Sequence, residues 1–106
     1  MEPRLVYMTA PSEDEAVSLA RMLVAERLAA CVNILGEIRS FFRWEGEVCD
    51  EGEIAFIAKT TSDRLNQLIV RVTAAHSYDC PCVVALPITG GHDEFLTWIG
   101  TETATV

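Results

Sequence analysis

No stretch of this chain is long and apolar enough to cross a bilayer as a helix. The longest apolar runs, such as Cys82–Ile88, fall far short of the ~18 residues needed. Basic side chains are also scarce: eight Lys and Arg stand against 16 Asp and Glu, for a net charge of -8. Phosphate chains are bound through clustered Lys and Arg, so nucleic acid is not the expected partner. Anionic membranes are weakly repelled. Met1-Glu2-Pro3-Arg4 lacks the basic-then-apolar layout of an export signal. The expectation is a cytoplasmic protein whose Cys31, Cys49, Cys80 and Cys82 stay reduced. Catalytic signatures are missing as well. There is no G-x-S-x-G, no Walker A loop, no G-x-G-x-x-G and no H-E-x-x-H. Gly90-Gly91 alone is too short to cradle phosphate. A Cys31/His76 nucleophile pair would lack a third orienting group. The chain is read as a non-enzyme.

What remains is a core-forming chain. Its 106 residues suit one domain spanning 1–106. Half the residues are hydrophobic. That is high for so small a domain, and the surplus apolar surface is expected to face another subunit. Arg4–Thr9 reads as a strand. Ser12-Glu13-Asp14-Glu15 is a capping box, and the helical period continues to about Leu28. Ala30–Val48 reads as one long strand with a bulge or bend at Gly36. Cys49-Asp50-Glu51-Gly52 is expected to turn the chain into a second, central strand at Glu53–Thr61. A helix starting at Ser62 or Asp63 ends at His76–Asp79. A last strand follows at Cys82–Leu86, then a short helix at His92–Ile99.

The order β-α-β-β-α-β plus a C-terminal helix is the split βαβ, or ferredoxin-like, α+β pattern, which leaves one sheet face open. Straight, Ala30–Val48 would extend roughly 60 Å, against a radius of gyration of about 13 Å for a domain of this size. The hairpin must bend or overhang, and an overhanging ribbon carrying Phe41, Phe42 and Trp44 needs cover from a second copy. An obligate homo-oligomer is expected.

Several residues could carry chemistry. Cys80-Pro81-Cys82 places two thiols two residues apart, a soft donor pair suited to Cu(I) or Zn. The other reading is two small buried hydrophobes leading into the last strand. His76, at a helix C-terminus, either caps the helix, bonds within an interface or touches a ligand or metal. His92 reads as a solvated cap residue. Cys31 is read as a buried small side chain at the helix-to-strand join. Lys59 in an apolar strand must be paired or reach the surface. It reads either as an intersubunit ion pair with a carboxylate such as Glu45 or as an anion-binding lysine. Phe42 and Trp44 share one strand face and read as interface core.

Taken in order, these segments resemble the CutA family of divalent-cation tolerance proteins: Thr9-Ala10-Pro11, Leu28-Ala29-Ala30-Cys31-Val32-Asn33, Ser40-Phe41-Phe42-Arg43-Trp44-Glu45-Gly46-Glu47, Lys59-Thr60-Thr61, His76-Ser77-Tyr78-Asp79-Cys80-Pro81 and Trp98-Ile99. The resemblance implies a ferredoxin-like homotrimer, similar in architecture to PII signalling proteins. It also implies a cytoplasmic role in tolerance of copper and other divalent metal ions. It makes Cys31 and His76 the first metal candidates, joined by Cys80 and Cys82 from the donor pair. It places Lys59, Tyr78 and Trp44 at the cleft between subunits, and the ion-pair reading of Lys59 adds Glu45 there. Ser77, Asp79, Phe42 and Cys82 depart from the family's usual proline, glutamate, tyrosine and glutamate. Two other function classes fit the same features: a PII-like module binding a small anion at the subunit cleft, and a structural trimer anchoring a partner protein.

Overall fold

The computed structural model describes residues 2–105, in the order β1 (Pro3–Ala10), α1 (Glu13–Ala25), β2 (Cys31–Trp44), β3 (Glu47–Thr61), α2 (Ser62–Ala75), β4 (Val83–Pro87) and α3 (Asp93–Thr103). The strands form one antiparallel sheet in the order β2-β3-β1-β4, which puts β3 and β1 in the centre. Alternation along the strands sorts the side chains. Val6, Met8 and Ala10 of β1 and Ile54, Phe56 and Ala58 of β3 share one face. They pack into a core with Ala16, Leu19 and Leu23 of α1 and Leu68 and Val72 of α2. The opposite face keeps apolar side chains in solvent, with Val84 and Leu86 of β4 each 52% exposed.

Helix α1 starts as the sequence predicts: Ser12 Oγ accepts the Glu15 N–H at 3.2 Å. The reciprocal half of the capping box does not form, because the Glu15 carboxylate turns away to Ser77. The helix also ends earlier than expected. Arg27 enters the left-handed region (φ 59°), and the Leu28 N–H reaches back to the Leu23 carbonyl at 2.9 Å, sealing the C-terminus. Helix α3 is longer than predicted and extends to Thr103.

The hairpin turn lies elsewhere than the sequence analysis placed it. Glu45 (φ 50°) and Gly46 (φ 82°) join strands paired at Trp44↔Glu47. A two-residue turn with positive φ at both positions matches the twist of its strands, and glycine enters that region without strain. Cys49, Asp50, Glu51 and Gly52 are instead ladder residues of β3, opposite Phe42, Phe41, Ser40 and Arg39. Asp50 has a cross-strand reason to stay extended: Arg39 forms a two-pronged ion pair with it, at 2.9 and 2.8 Å. The expected irregularity at Gly36 is present as a register shift between Ile34 and Gly36, with Gly36 at φ 115° and the extra residue, Leu35, exposed.

Strand β1 ends its pairing at Ala10↔Ile54, whereas β3 continues back to Glu47. The ribbon therefore overhangs the sheet by roughly 20 Å, giving a molecule 44 Å long and 25 Å across. Phe41, Phe42 and Trp44 are exposed on this overhang. No helix among the described residues is long and apolar enough to cross a membrane.

Candidate functional site

Three chain ends meet at the root of the overhang: the end of β1, the end of α2 and the loop into β4. Helix α2 closes with the His76 N–H on the Val72 carbonyl at 2.9 Å, and the chain then turns away from the helix. The His76 side chain is fully buried there. Its Nε2 lies 2.8 Å from the Thr9 carbonyl, and its Nδ1 accepts the Tyr78 N–H at 3.0 Å. A carbonyl only accepts and an amide N–H only donates, so Nε2 carries the proton and the ring is a neutral imidazole. The Tyr78 ring stands 4.8 Å from the imidazole. Glu15 Oε2 lies 3.3 Å from Nδ1 and accepts from the Ser77 N–H and hydroxyl, each at 3.0 Å. Burial pushes the Glu15 carboxyl up, but the two hydrogen bonds from Ser77 outweigh it and hold the group below its ordinary range.

Tyr78 completes the cluster. Its hydroxyl donates to Glu53 Oε2 at 3.0 Å and ties the loop to the ribbon. Burial first, then the Glu53 bond and charge, push the phenol up to about 12. Burial and Glu53 likewise raise the Cys82 thiol. Glu53→Gln is expected to bring the Tyr78 titration partway back towards the ordinary value of about 10. The folded-state pKa is raised above the unfolded value, so the stabilisation from Tyr78 is complete below pH ~10 and is lost as pH rises through about 12. Tyrosinate absorbance in a Tyr7→Phe background, with stability followed over the same pH range, checks both points. An unchanged titration in Glu53→Gln would show that burial alone sets the shift.

The other candidates lie apart within one protomer. Cys31 and Lys59 are cross-strand partners on the rung of Leu5, roughly 13 Å along the sheet from the Thr9 rung. Lys59, the only lysine of the chain, donates to Asn33 Oδ1 at 2.7 Å and stands over the Phe95 ring at 5.7 Å. Its partner inside the protomer is thus a neutral amide. Trp44 and Glu45 are exposed at the ribbon tip. Cys80 is exposed, Cys82 half-buried, and all four cysteines are free thiols. Among the described residues, no three His, Cys, Asp or Glu side chains converge as a metal site would require. The sequence analysis did not name Thr9, Glu15 or Glu53 as site residues. The acidic N-terminal turn of α1 was the only signal for Glu15, and nothing local marked the other two.

The architecture defines a class: small α+β proteins with one four-stranded antiparallel sheet, three helices and a projecting ribbon. Within that class the chain belongs to the CutA1 divalent ion tolerance protein family, whose sequence model matches residues 4–102. It is 46% identical over 99 residues to the divalent-cation tolerance protein CutA of Thermus thermophilus, covering 93% of this chain and 96% of that one. It is 46% identical to a chloroplastic CutA of Arabidopsis thaliana, of which it spans 54%. Among solved structures, the periplasmic divalent cation tolerance protein CutA of Archaeoglobus fulgidus superposes with a TM-score of 0.92 at 44% identity, covering 96% of this chain and 99% of that one. CutA1 of Oryza sativa superposes with a TM-score of 0.95 at 40% identity, covering 100% and 97%.

Proposed function

We propose that this chain is a non-enzymatic, ferredoxin-like protomer of a homotrimer that binds copper and other divalent metal ions at clefts between subunits. The sheet order β2-β3-β1-β4 supports the ferredoxin-like reading. Exposed Val84 and Leu86 on the open sheet face, with Phe42 and Trp44 on the ribbon, supply apolar surface for neighbouring copies. The observation that carries the metal reading is the acidic face of the ribbon. Glu47, Glu51 and Glu53 are separated by even numbers of residues on β3, so their carboxylates lie on one side of the overhang, where a second protomer would complete a cage. Four free thiols suit a reducing compartment, in keeping with a cytoplasmic location.

One observation favours a second reading, a PII-like module for a small anion. Lys59 brings a positive charge to the open face with an amide, not a carboxylate, as its partner. Sedimentation and calorimetry with Cu(II), Zn(II) and ATP separate the two. The metal reading expects a trimer mass and a metal signal weakened at least about tenfold, ~1.4 kcal/mol, in Glu47→Gln/Glu51→Gln. The anion reading expects heat with ATP that Lys59→Ala abolishes. A folded monomer at micromolar concentration overturns both.

A further inference from the structure

We propose that Cys80 and Cys82 form a separate site, contained within each protomer, that holds one Cu(I) ion as a bis-thiolate. The pair sits in the loop between α2 and β4, with Cys80 exposed and Cys82 half-buried. The loop is anchored at both ends. His76, Ser77 and Tyr78 fix its start through Thr9, Glu15 and Glu53, and Val83 enters the sheet opposite Met8 just after Cys82. The two thiols are therefore presented from a firm base.

Pro81 fixes its own φ and biases Cys80 towards extended backbone. Two extended residues separate Cα atoms by ~6.6 Å. Two metal–sulfur bonds of ~2.3 Å bridge sulfurs ~4.6 Å apart. Rotation about the Cα–Cβ bonds of the two cysteines is the movement that would bring the sulfurs to that spacing.

The choice of ion follows from the number of donors. Thiolates select soft ions, Cu(I) and Zn(II) foremost. Zinc takes four ligands in a structural site, and among the described residues no third His, Cys, Asp or Glu converges with the pair. Cu(I) is a soft, closed-shell ion that two thiolates satisfy. The step is balanced without any redox change: two thiols and one Cu(I) give the bis-thiolate complex and release two protons. The site needs no second subunit and none of the ribbon carboxylates, so it stands independently of the cleft proposed above.

The test is anaerobic titration of reduced protein with Cu(I), in competition with a chromophoric Cu(I) chelator. The expected result is one ion per chain and two protons released for each ion bound. Affinity should fall at least about a hundredfold in Cys80→Ser and in Cys82→Ser, beyond the loss typical of an outer-shell change, and stay unchanged in Cys49→Ser. X-ray absorption at the copper edge should show two sulfur neighbours. Circular dichroism of each variant checks that it is folded. Equal uptake by wild type and Cys80→Ser/Cys82→Ser overturns the proposal, as does a copper shell of three or more protein donors. Glu47→Gln/Glu51→Gln should retain the Cu(I) signal even where it loses the divalent one, so failure of either site shows separately.

Discussion

Phe56→Ala is expected to destabilise the protein by about 3–5 kcal/mol, the largest loss of any single truncation in the core. Phe56 is the largest fully buried side chain, in the middle of the central strand β3, paired with Met8 on one side and Ile34 on the other. Both helices pack over that face through Leu19, Leu23, Leu68 and Val72, so a cavity there is walled by regular structure that collapses poorly. A domain of this size has about 5–15 kcal/mol in total, and the melting temperature should drop by roughly 15 °C or more. Guanidinium denaturation at fixed protein concentration measures it, because subunit association makes stability concentration-dependent. Phe41 is the control. It has the same side chain but lies 63% exposed on the ribbon, with the Arg39 guanidinium over its ring. Phe41→Ala should cost under about 1 kcal/mol in the isolated protomer, and any larger loss reports cover by another copy. A loss below 1 kcal/mol at Phe56 would mean that the core is not packed as described.

Much of the fold was legible because its signals are local. Ser12 followed by three acidic residues marks the start of α1, and the apolar run on both faces of Glu53–Thr61 marks a central strand. The glycine at position 36 marks the bulge. The hairpin turn was misplaced for an equally local reason. Asp50-Glu51-Gly52 has turn composition, but turn chemistry at a hairpin is decided by backbone twist, which Glu45-Gly46 satisfies. Arg39 holds Asp50 in the ladder from the other strand. The site was less legible. His76 stood out by its place at a helix end, yet its partners come from Thr9 and Glu15, more than sixty residues earlier in the chain. Tyr78 meets Glu53 across 25 residues of chain. No periodicity encodes such meetings. They follow from the register of β1 on β3, which is fixed only when the sheet forms.

That long-range origin sets the prediction for His76. His76→Ala is expected to destabilise the metal-free protein by about 2–5 kcal/mol. The substitution leaves the buried Thr9 carbonyl and the half-buried Tyr78 N–H without partners, each costing up to about 1–3 kcal/mol, and it opens a cavity besides. Hydrogen exchange at the Tyr78 amide should accelerate, while Ser77 stays protected by its own bonds to Glu15. His76→Gln, which offers both a donor and an acceptor, should recover part of the loss. Were His76 purely a metal ligand, the metal-free protein would keep its stability within about 0.5 kcal/mol, and only ion binding would fall. The two roles compete for the same atoms, since an ion reaching Nδ1 must displace the Tyr78 amide. Weakened metal binding in His76→Ala therefore identifies a ligand only if His76→Gln, with the loop restored, still shows it. If binding returns with the loop, His76 acts by holding Tyr78 and the two cysteines that follow it in place.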